Sequence, residues 1–185
     1  MDGKNQQVSI ERFDPDNEYD VTEFDCGMDE FNAFLHKNMH KEFERRVSIP
    51  YLCLLDADEP NFPPKVVGYF TLASSSFDRK HLPSSERRKV IYRSVSCILL
   101  SKIAVDKSMS GQGLGKWLLG KAIKQAFLSS RDVGVYALFL QSVEGKEEFY
   151  IKAGLIRSKA DPSMFIYPLK QYEQAFKKIV LSKKR

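Results

Sequence analysis

Three glycines separated by single residues form the segment of this sequence best suited to chemistry. Gly111, Gly113 and Gly115 follow the apolar stretch Ile98–Val105, whose β-branched composition predicts a buried strand. From Leu114 to Leu128 apolar residues recur at helical spacing. A strand that leads through a glycine turn into a helix leaves free backbone N–H groups at the positive end of the helix dipole. We therefore expect an anion site at this turn.

Two common phosphate-binding motifs do not match the turn. A P-loop needs lysine followed by serine or threonine, but Lys116 precedes Trp117, and Ser110 stands where the first glycine belongs. The dinucleotide fingerprint G-x-G-x-x-G would need glycine in place of Lys116. From the residues alone, a glycine turn without a ligand stays an alternative.

The glycine loop resembles the acetyl-CoA loop of the GNAT N-acetyltransferases. The family pattern Gln/Arg-x-x-Gly-x-Gly/Ala places Gly113 and Gly115 on its small positions, while Ser110 takes the Gln/Arg position. This departure removes one side-chain contact to the pyrophosphate but leaves the backbone cradle. The resemblance implies that acetyl-CoA is bound by the following residues: Ile103, Ala104, Val105, Ser110, Gly111, Gln112, Gly113, Leu114, Gly115, Lys116 and Ser142.

A second segment resembles the later Phe-Tyr-x-x-x-Gly-Phe motif of the same family. It begins at Phe149-Tyr150 and reaches Gly154-Leu155. The resemblance implies that Tyr150 protonates the CoA thiolate and that the N–H of Val105 stabilises the oxyanion. Without the resemblance, a tyrosine that only packs is the simpler interpretation. The general base stays open between Glu144 and a water chain.

Two further segments resemble the toxin subgroup of GNAT proteins, which is TacT-like. One is Phe24-x-Cys26-Gly27 followed by Phe31-Asn32-x-Phe34-Leu35, and the other is Gly68-Tyr69-Phe70-Thr71-Leu72. The resemblance implies acetylation of the α-amine of aminoacyl-tRNA, with charged tRNA and a ribbon-helix-helix antitoxin as partners. The proline-rich approach expected in that subgroup is replaced by Ser94-Val95-Ser96. Core packing is the alternative explanation for the aromatic residues.

Basic residues are concentrated between positions 79 and 93, with His81 and Tyr92 among them. They are Arg79, Lys80, Arg87, Arg88, Lys89 and Arg93. Such a run is either a solvated surface or a patch that contacts RNA phosphates. The resembling family forms part of its acceptor cleft at this position, so the RNA interpretation and the solvated surface both stay open.

A mixed α/β sheet would position these motifs. With 185 residues, the chain is expected to form a single domain over 1–185. The resemblance implies a GNAT-like three-layer fold with a central mixed, splayed sheet flanked by helices. The predicted strands are Val8–Phe13, Ile49–Leu55, Val66–Ala73, Ile98–Val105, Val135–Val143, Leu155–Ser158 and Met164–Tyr167. The predicted helices are one from the cap Asp29 to Arg45, Leu114–Leu128, Lys146–Ala153 and Leu169–Leu181, with a loop at Asp56–Lys65 and a disordered tail at Lys183–Arg185.

Charge and composition limit the possible binding partners and the cellular compartment of the protein. The net charge of +5 permits binding of polyanions such as RNA or CoA. No apolar run reaches membrane-span length, and the polar start of the chain lacks the apolar core of a signal peptide. Cys26, Cys53 and Cys97 have no metal-type spacing and are interpreted as reduced thiols of a cytoplasmic protein. His36 and His40 lack a third ligand, so no metal is predicted.

Three functions remain open at this point. The first is an acetyl-CoA-dependent N-acetyltransferase of the toxin type that acts on aminoacyl-tRNA. The second is a GNAT enzyme for a protein amine, a polyamine or another small amine. The third is a non-catalytic module that binds acetyl-CoA or RNA, which Ser110 keeps open. The sequence does not determine the acceptor amino acid, the antitoxin or the oligomeric state, for which a homodimer is one option.

Overall fold

The computed structural model describes residues 8–55 and 62–182, with side chains as far as residue 178. The polar start at 1–7, the section 56–61 of the predicted loop and the basic tail at 183–185 lie outside the described residues. All other predicted elements lie within the described residues.

Seven strands and six α-helices are present in the described residues. The strands are β1 (Val8–Arg12), β2 (Ile49–Leu55), β3 (Lys65–Asp78), β4 (Ser94–Val105), β5 (Ala137–Gln141), β6 (Ile156–Arg157) and β7 (Met164–Pro168). The helices are α1 (Asp29–Ala33), α2 (Met39–Glu44), α3 (Ser84–Arg87), α4 (Leu114–Ser129), α5 (Glu147–Lys152) and α6 (Leu169–Ser182). A π-helical stretch, Phe34–Asn38, joins α1 to α2.

The strands form one mixed sheet in the order β1-β2-β3-β4-β5-β7-β6. β4 and β5 run parallel, as predicted, because α4 crosses between them. The pairs β1–β2, β2–β3, β5–β7 and β6–β7 are antiparallel. The predicted mixed α/β fold is therefore confirmed.

Two compact units divide the chain. The first contains Met1–Leu72 and Lys102–Leu119, and the second contains Ala73–Ser101 and Gly120–Arg185. β3, β4 and α4 each contribute residues to both units. The single domain over 1–185 stays a prediction.

An aromatic core holds the first unit together. Tyr69 is fully buried, and its ring lies 5.4 Å from the ring of Phe34 and 5.7 Å from that of Phe24. The Tyr69 hydroxyl donates to the carbonyl oxygen of Phe31 at 2.8 Å, which satisfies the only polar atom of the side chain. Core packing therefore explains these aromatic residues of the subgroup motifs.

The second unit has its own apolar core. Phe77 and Phe139 lie 5.7 Å apart between ring centroids. They pack with Val95, Cys97 and Ile166, which are all nearly or fully buried. Because Phe77 belongs to this core, β3 continues to Asp78 and does not end at the predicted Ala73.

The start of the first helix differs from the prediction. Asp29 is the first residue of α1, and the N-cap position belongs to Met28, which has no side-chain capping bond. The predicted cap at Asp29 is therefore wrong. The Asp29 carboxylate still lies in the first turn, where the helix dipole favours negative charge.

No described helix is long and apolar enough to cross a membrane. Cys26, Cys53 and Cys97 are free thiols, as predicted. Burial raises the pKa of Cys53 and of Cys97 to about 11, so both stay protonated at neutral pH. Within the described residues, no three His, Cys, Asp or Glu side chains converge as a metal site requires.

Candidate active site

The glycine loop lies between the end of β4 and the start of α4. After Val105 a short 3-10 turn, Lys107–Met109, leads into the loop at 110–113. Gly111 has φ +75° and Gly113 has φ +83°, left-handed conformations that glycine adopts without strain. The course of the loop therefore depends on glycine at these two positions.

The loop presents a row of unused backbone donors. Between Gly111 and Lys116, no backbone N–H donates to another described residue, and the first bonded one is that of Trp117, to the Gly113 carbonyl oxygen at 3.1 Å. A Cβ added at Gly111 or Gly113 would meet no atom within 4 Å, so the loop is open on that side. These donors precede a helix of 16 residues, whose dipole adds positive potential. The geometry suits a phosphate or diphosphate group.

The flanking elements approach each other closely at Gly68. A Cβ at this position would lie 2.9 Å from Cδ1 of Leu118 in α4 and 3.1 Å from the carbonyl oxygen of Ala104 in β4. The next residue back, Val67, accepts a hydrogen bond from the N–H of Asp106 at 3.0 Å. Gly68 therefore lets β3 hold both ends of the loop, a role that its subgroup motif alone did not indicate.

Ten of the predicted coenzyme residues lie in the first unit, and Ser142 lies in the second. Ile103 and Val105 are half-buried and Ala104 is buried, as expected for the last residues of a strand. Ser110 is exposed, and its N–H donates to the Lys107 carbonyl oxygen at 3.1 Å. The short Ser110 side chain leaves the loop opening clear.

β4 and β5 are paired over only part of their length. The paired residues are Cys97 with Ala137, Ile98 with Leu138 and Leu99 with Phe139. Beyond them, residues 100–101 and 140–141 are described but do not pair with each other. This separation confirms the predicted splay.

Ser142 follows β5 directly, at the separation of the two parallel strands. Its N–H donates to the carbonyl oxygen of Ser163 at 2.8 Å, and its hydroxyl donates to that of Val143 at 2.8 Å. The main chain of Ser142 is therefore held by Ser163, while its hydroxyl bonds only to the adjacent residue.

Tyr150 lies in α5 with a buried ring and an accessible hydroxyl. The side chain is 6% exposed, and its ring contacts those of Phe149 and Phe165 at centroid distances of 5.0 and 5.4 Å. The hydroxyl has no hydrogen-bond partner among the described residues, where no fully buried polar side-chain atom lacks one. The oxygen is therefore not fully enclosed by the described residues. Burial raises the pKa of Tyr150 to about 12, so it carries its proton at neutral pH.

Arg79 and Arg87 brace the basic segment from within. Arg79 donates to two carbonyl oxygens of the turn after α3, both at 3.2 Å. Arg87 donates to the carbonyl oxygens of Lys80 and Leu82 at 2.9 and 3.0 Å. These two guanidinium groups therefore stabilise the backbone conformation of the basic segment. Only their remaining N–H groups are available to bind an anion.

The other basic residues face outward. Arg93 has an 89% exposed side chain and contacts Asp78 at 2.9 Å, and Lys89 contacts Glu86 at 2.5 Å. Exposed ion pairs of this kind contribute about 0–1 kcal/mol, so a polyanion can replace them. Lys80 and Arg88 are exposed as well.

Two shallow grooves of about 420 and 310 Å³ lie along this segment. The larger groove is lined by Arg79, Ser84, Arg87, Arg88, Val90 and Ile91, and the smaller by Asp78, Arg79, Lys80, Arg87 and Arg93. Ile91 and Tyr92 project beside them, with 85% and 77% of their surface exposed. The two grooves thus bring together five of the six predicted basic residues, all except Lys89.

Two aspartates next to the loop were not among the predicted site residues. Asp106 is buried, and its carboxylate accepts from the N–H of Asp25 at 2.9 Å. The run Asp106-Lys107-Ser108 has the spacing of an aspartate that caps its own turn, which is a usable local signal. No local pattern could reveal Asp25, because 81 positions separate the two residues.

No protein-family model matches the chain. A tRNA-acetylating toxin of Mycobacterium tuberculosis is 29% identical to it over 144 residues, which is 77% of this chain and 82% of the relative. A tyrosine-to-phenylalanine variant of KacT superposes with a TM-score of 0.85 and 30% identity, covering 92% of this chain and 99% of KacT.

AtaT is a further structural relative. Its complex with acetyl-methionyl-tRNAfMet gives a TM-score of 0.85 and 29% identity over 92% of this chain and 99% of AtaT. A variant of AtaT has been solved with acetyl-CoA and the C-terminus of the antitoxin AtaR. It superposes on this chain with a TM-score of 0.76 and 26% sequence identity, covering 91% of this chain and 98% of the AtaT chain. These likenesses confirm the predicted GNAT-like fold.

Proposed function

Since the chain belongs to the GNAT acetyltransferase toxins, the family of KacT and AtaT, we propose that it transfers an acetyl group from acetyl-CoA to the α-amine of an aminoacyl-tRNA. The observation that carries this proposal is the row of unused N–H groups between Gly111 and Lys116 at the start of α4. A donor row of this kind has no structural task of its own. It matches the diphosphate of a coenzyme in charge and in hydrogen-bonding capacity.

The residues around the loop fit acetyl-CoA. The coenzyme supplies an acetyl thioester, which an amine can attack directly. The loop N–H groups would hold its diphosphate, and the main chain at Ser142 would align its pantetheine arm. Val105 ends its strand at the loop, and its N–H would face the oxygen on which negative charge develops.

The acetyl transfer needs one proton donor from the chain, which protonates the leaving thiolate. The neutral amine of the acceptor forms a bond to the acetyl carbon, the carbon–sulfur bond breaks, and the thiolate leaves. Tyr150 would give its hydroxyl proton to that sulfur, since the hydroxyl is protonated at neutral pH and has no hydrogen-bond partner among the described residues. Acid catalysis of this kind contributes about 100- to 10,000-fold. The proton released from the amine passes to solvent or to a base, and the tyrosinate left at Tyr150 takes a proton back from solvent before the next turnover.

The acceptor would be recognised through its phosphates. The exposed side chains of Lys80, Arg88, Lys89 and Arg93, together with the free N–H groups of Arg79 and Arg87, provide a basic surface for the tRNA backbone. Such a surface disfavours polyamines, which carry positive charge. It therefore favours RNA over the polyamine alternative.

The family also suggests the setting. AtaT binds the antitoxin AtaR, so a small antitoxin protein is the expected partner of this chain. Charged tRNA is present where translation occurs, and the cytoplasm is therefore the expected compartment.

An acceptor panel tests the proposal. Purified protein and acetyl-CoA are incubated with charged tRNA, with spermidine or with a peptide bearing a free amine, and CoA release is followed for wild type and Tyr150→Phe. We expect release with charged tRNA and a large loss in the variant. Release with spermidine or peptide alone would support another GNAT activity. No release with any acceptor, despite acetyl-CoA binding, would support a non-catalytic module.

A further inference from the structure

A clasp of three residues, Asp25, Asp106 and Lys107, fastens the opening segment of the chain to the base of the glycine loop. The Asp106 carboxylate accepts from the N–H of Asp25 at 2.9 Å. In return, the N–H of Lys107 donates to the Asp25 carbonyl oxygen at 2.9 Å, and Lys107 Nζ lies 2.7 Å from Asp25 Oδ2. Main chain and side chain of Asp25 are thus both engaged.

Asp106 serves the clasp and the loop together. One carboxylate oxygen takes the bond from Asp25, and the other accepts from the N–H and the hydroxyl of Ser108 at 2.9 and 2.5 Å. The second set caps the 3-10 turn that leads into the loop. Burial alone raises the pKa of Asp106, but the hydrogen bonds from Ser108 and Asp25 outweigh it and hold the pKa below its usual range. The carboxylate is therefore ionised at neutral pH.

The opening segment is itself rigid where it meets the loop. Asp25 Oδ1 accepts from the N–H of Gly27 and from Nδ2 of Asn32, both at 2.8 Å. Asn32 Oδ1 accepts in turn from the N–H of Cys26 at 3.0 Å. Gly27 has φ +85°, and a Cβ there would lie 2.9 Å from Cε of Lys107. The left-handed φ favours glycine here, and any other residue would displace the end of the Lys107 side chain.

We propose that Asp25 and Asp106 are positioning residues for the coenzyme loop, holding its first turn where the N–H groups of residues 111–116 can meet the diphosphate. The inference rests on the proposed function. The aspartates would not touch the coenzyme. They would fix the point from which the loop starts, which reduces the conformational freedom that the loop loses when the coenzyme binds.

The direction in which one substitution changes the affinity for acetyl-CoA distinguishes a positioning role from a purely electrostatic one. Asp25→Asn removes a negative charge beside an anion site and frees Lys107 from its ion pair. If charge alone mattered, acetyl-CoA would bind more tightly. If the clasp positions the loop, binding weakens although the charge becomes more favourable.

The experiment is calorimetric titration of the full chain with acetyl-CoA, followed by steady-state kinetics with charged tRNA. We expect Asp25→Asn to raise Kd and KM for acetyl-CoA about two- to fivefold, the effect of one lost ion pair that is exposed to solvent. The kcat at saturating acetyl-CoA and the KM for tRNA should stay unchanged. Asp106→Asn should show a larger shift of the same kind.

Glu23→Gln is the matched control, because Glu23 pairs with Lys65 at 2.6 Å in the same segment but is not part of the clasp. It should leave Kd unchanged. If Asp106→Asn does not fold, the test rests on Asp25→Asn alone. That variant is expected to fold because half of the Asp25 side chain is exposed. Equal or tighter binding by Asp25→Asn would overturn the inference. Absence of binding by the wild type would contradict the proposed function, and this inference with it.

Discussion

The ring of Tyr150 packs against the ring of Phe165, with 5.4 Å between centroids and 38° between planes. Phe165 is fully buried in β7, so its contact with the tyrosine ring fixes the orientation of that ring. The hydroxyl at the far end of the ring has no hydrogen-bond partner in the part of the chain that the structure describes. The ring is thus anchored by packing, while the oxygen is left for chemistry.

Tyr150→Phe should separate these two roles. The variant keeps the packed ring, so the melting temperature should change little. It removes the proposed proton donor, so kcat should fall about 100-fold or more. Single-turnover kinetics and a thermal melt measure both quantities. Tyr167→Phe in β7 is the control and should keep wild-type activity. Equal rates for Tyr150→Phe and wild type would remove Tyr150 from the mechanism.

The same residue predicts a pH effect on stability. Burial raises the pKa of Tyr150 from 10.0 in the unfolded chain to about 12 in the folded one. Between these values unfolding releases a proton, so the free energy of unfolding is at its full value below pH 10 and falls as the pH rises. The loss is at most about 1.4 kcal/mol per pH unit. Urea unfolding from pH 9 to 11 should show a steeper decline for wild type than for Tyr150→Phe, and parallel declines would contradict this assignment.

Gly113→Ala tests the need for a left-handed residue in the loop. Gly113 has φ +83° and open space around it, so the substitution strains the backbone without causing a clash. We expect a loss of about 1 kcal/mol in unfolding free energy and weaker acetyl-CoA binding. Gly120→Ala is the matched control, because Gly120 lies inside α4 with equally open surroundings. That variant should gain about 0.5–1 kcal/mol. Acetyl-CoA affinity unaffected by Gly113→Ala would argue against the cradle.

Arg88→Glu tests the basic surface. Arg88 is exposed and makes one long bond, from Nε to the Ser84 carbonyl oxygen at 3.3 Å, so its reversal should not disturb the fold. We expect a higher KM for charged tRNA, a shallower dependence of log KM on log salt and an unchanged Kd for acetyl-CoA. Lys124→Glu makes the same charge change on α4 and serves as control. Equal effects of the two reversals would show that net charge, not this surface, attracts the tRNA.

Arg79→Ala should behave differently from Arg88→Glu. Arg79 donates to two backbone carbonyl oxygens, and its removal leaves both without that partner. The expected result is a lower melting temperature together with a higher KM for tRNA. A change in KM without any change in melting temperature would show that bracing is not its main role.

The parts of the fold that sequence predicted are those encoded locally. β4, the glycine turn and α4 are contiguous, and the alternation of composition along them is enough to define all three. The Tyr150 segment is predicted through the family resemblance, as a short motif that ends at Gly154, whose φ of +87° closes α5.

The parts that sequence did not predict depend on distant partners. The bond from Asp25 to Asp106 joins positions 81 residues apart, and the extension of β3 depends on the contact of Phe77 with Phe139. The charge run at 79–93 did not reveal that Arg79 and Arg87 bind backbone carbonyl oxygens. Composition shows that residues are charged, but only the fold shows which of them are already engaged.

The most direct test of the central claim is mass spectrometry of the aminoacyl-adenosine that nuclease releases from charged tRNA after incubation with the protein and acetyl-CoA. We expect the aminoacyl group to gain the mass of one acetyl group in a reaction that requires Tyr150. An unmodified aminoacyl group with every charged tRNA, from protein that binds acetyl-CoA, would contradict it.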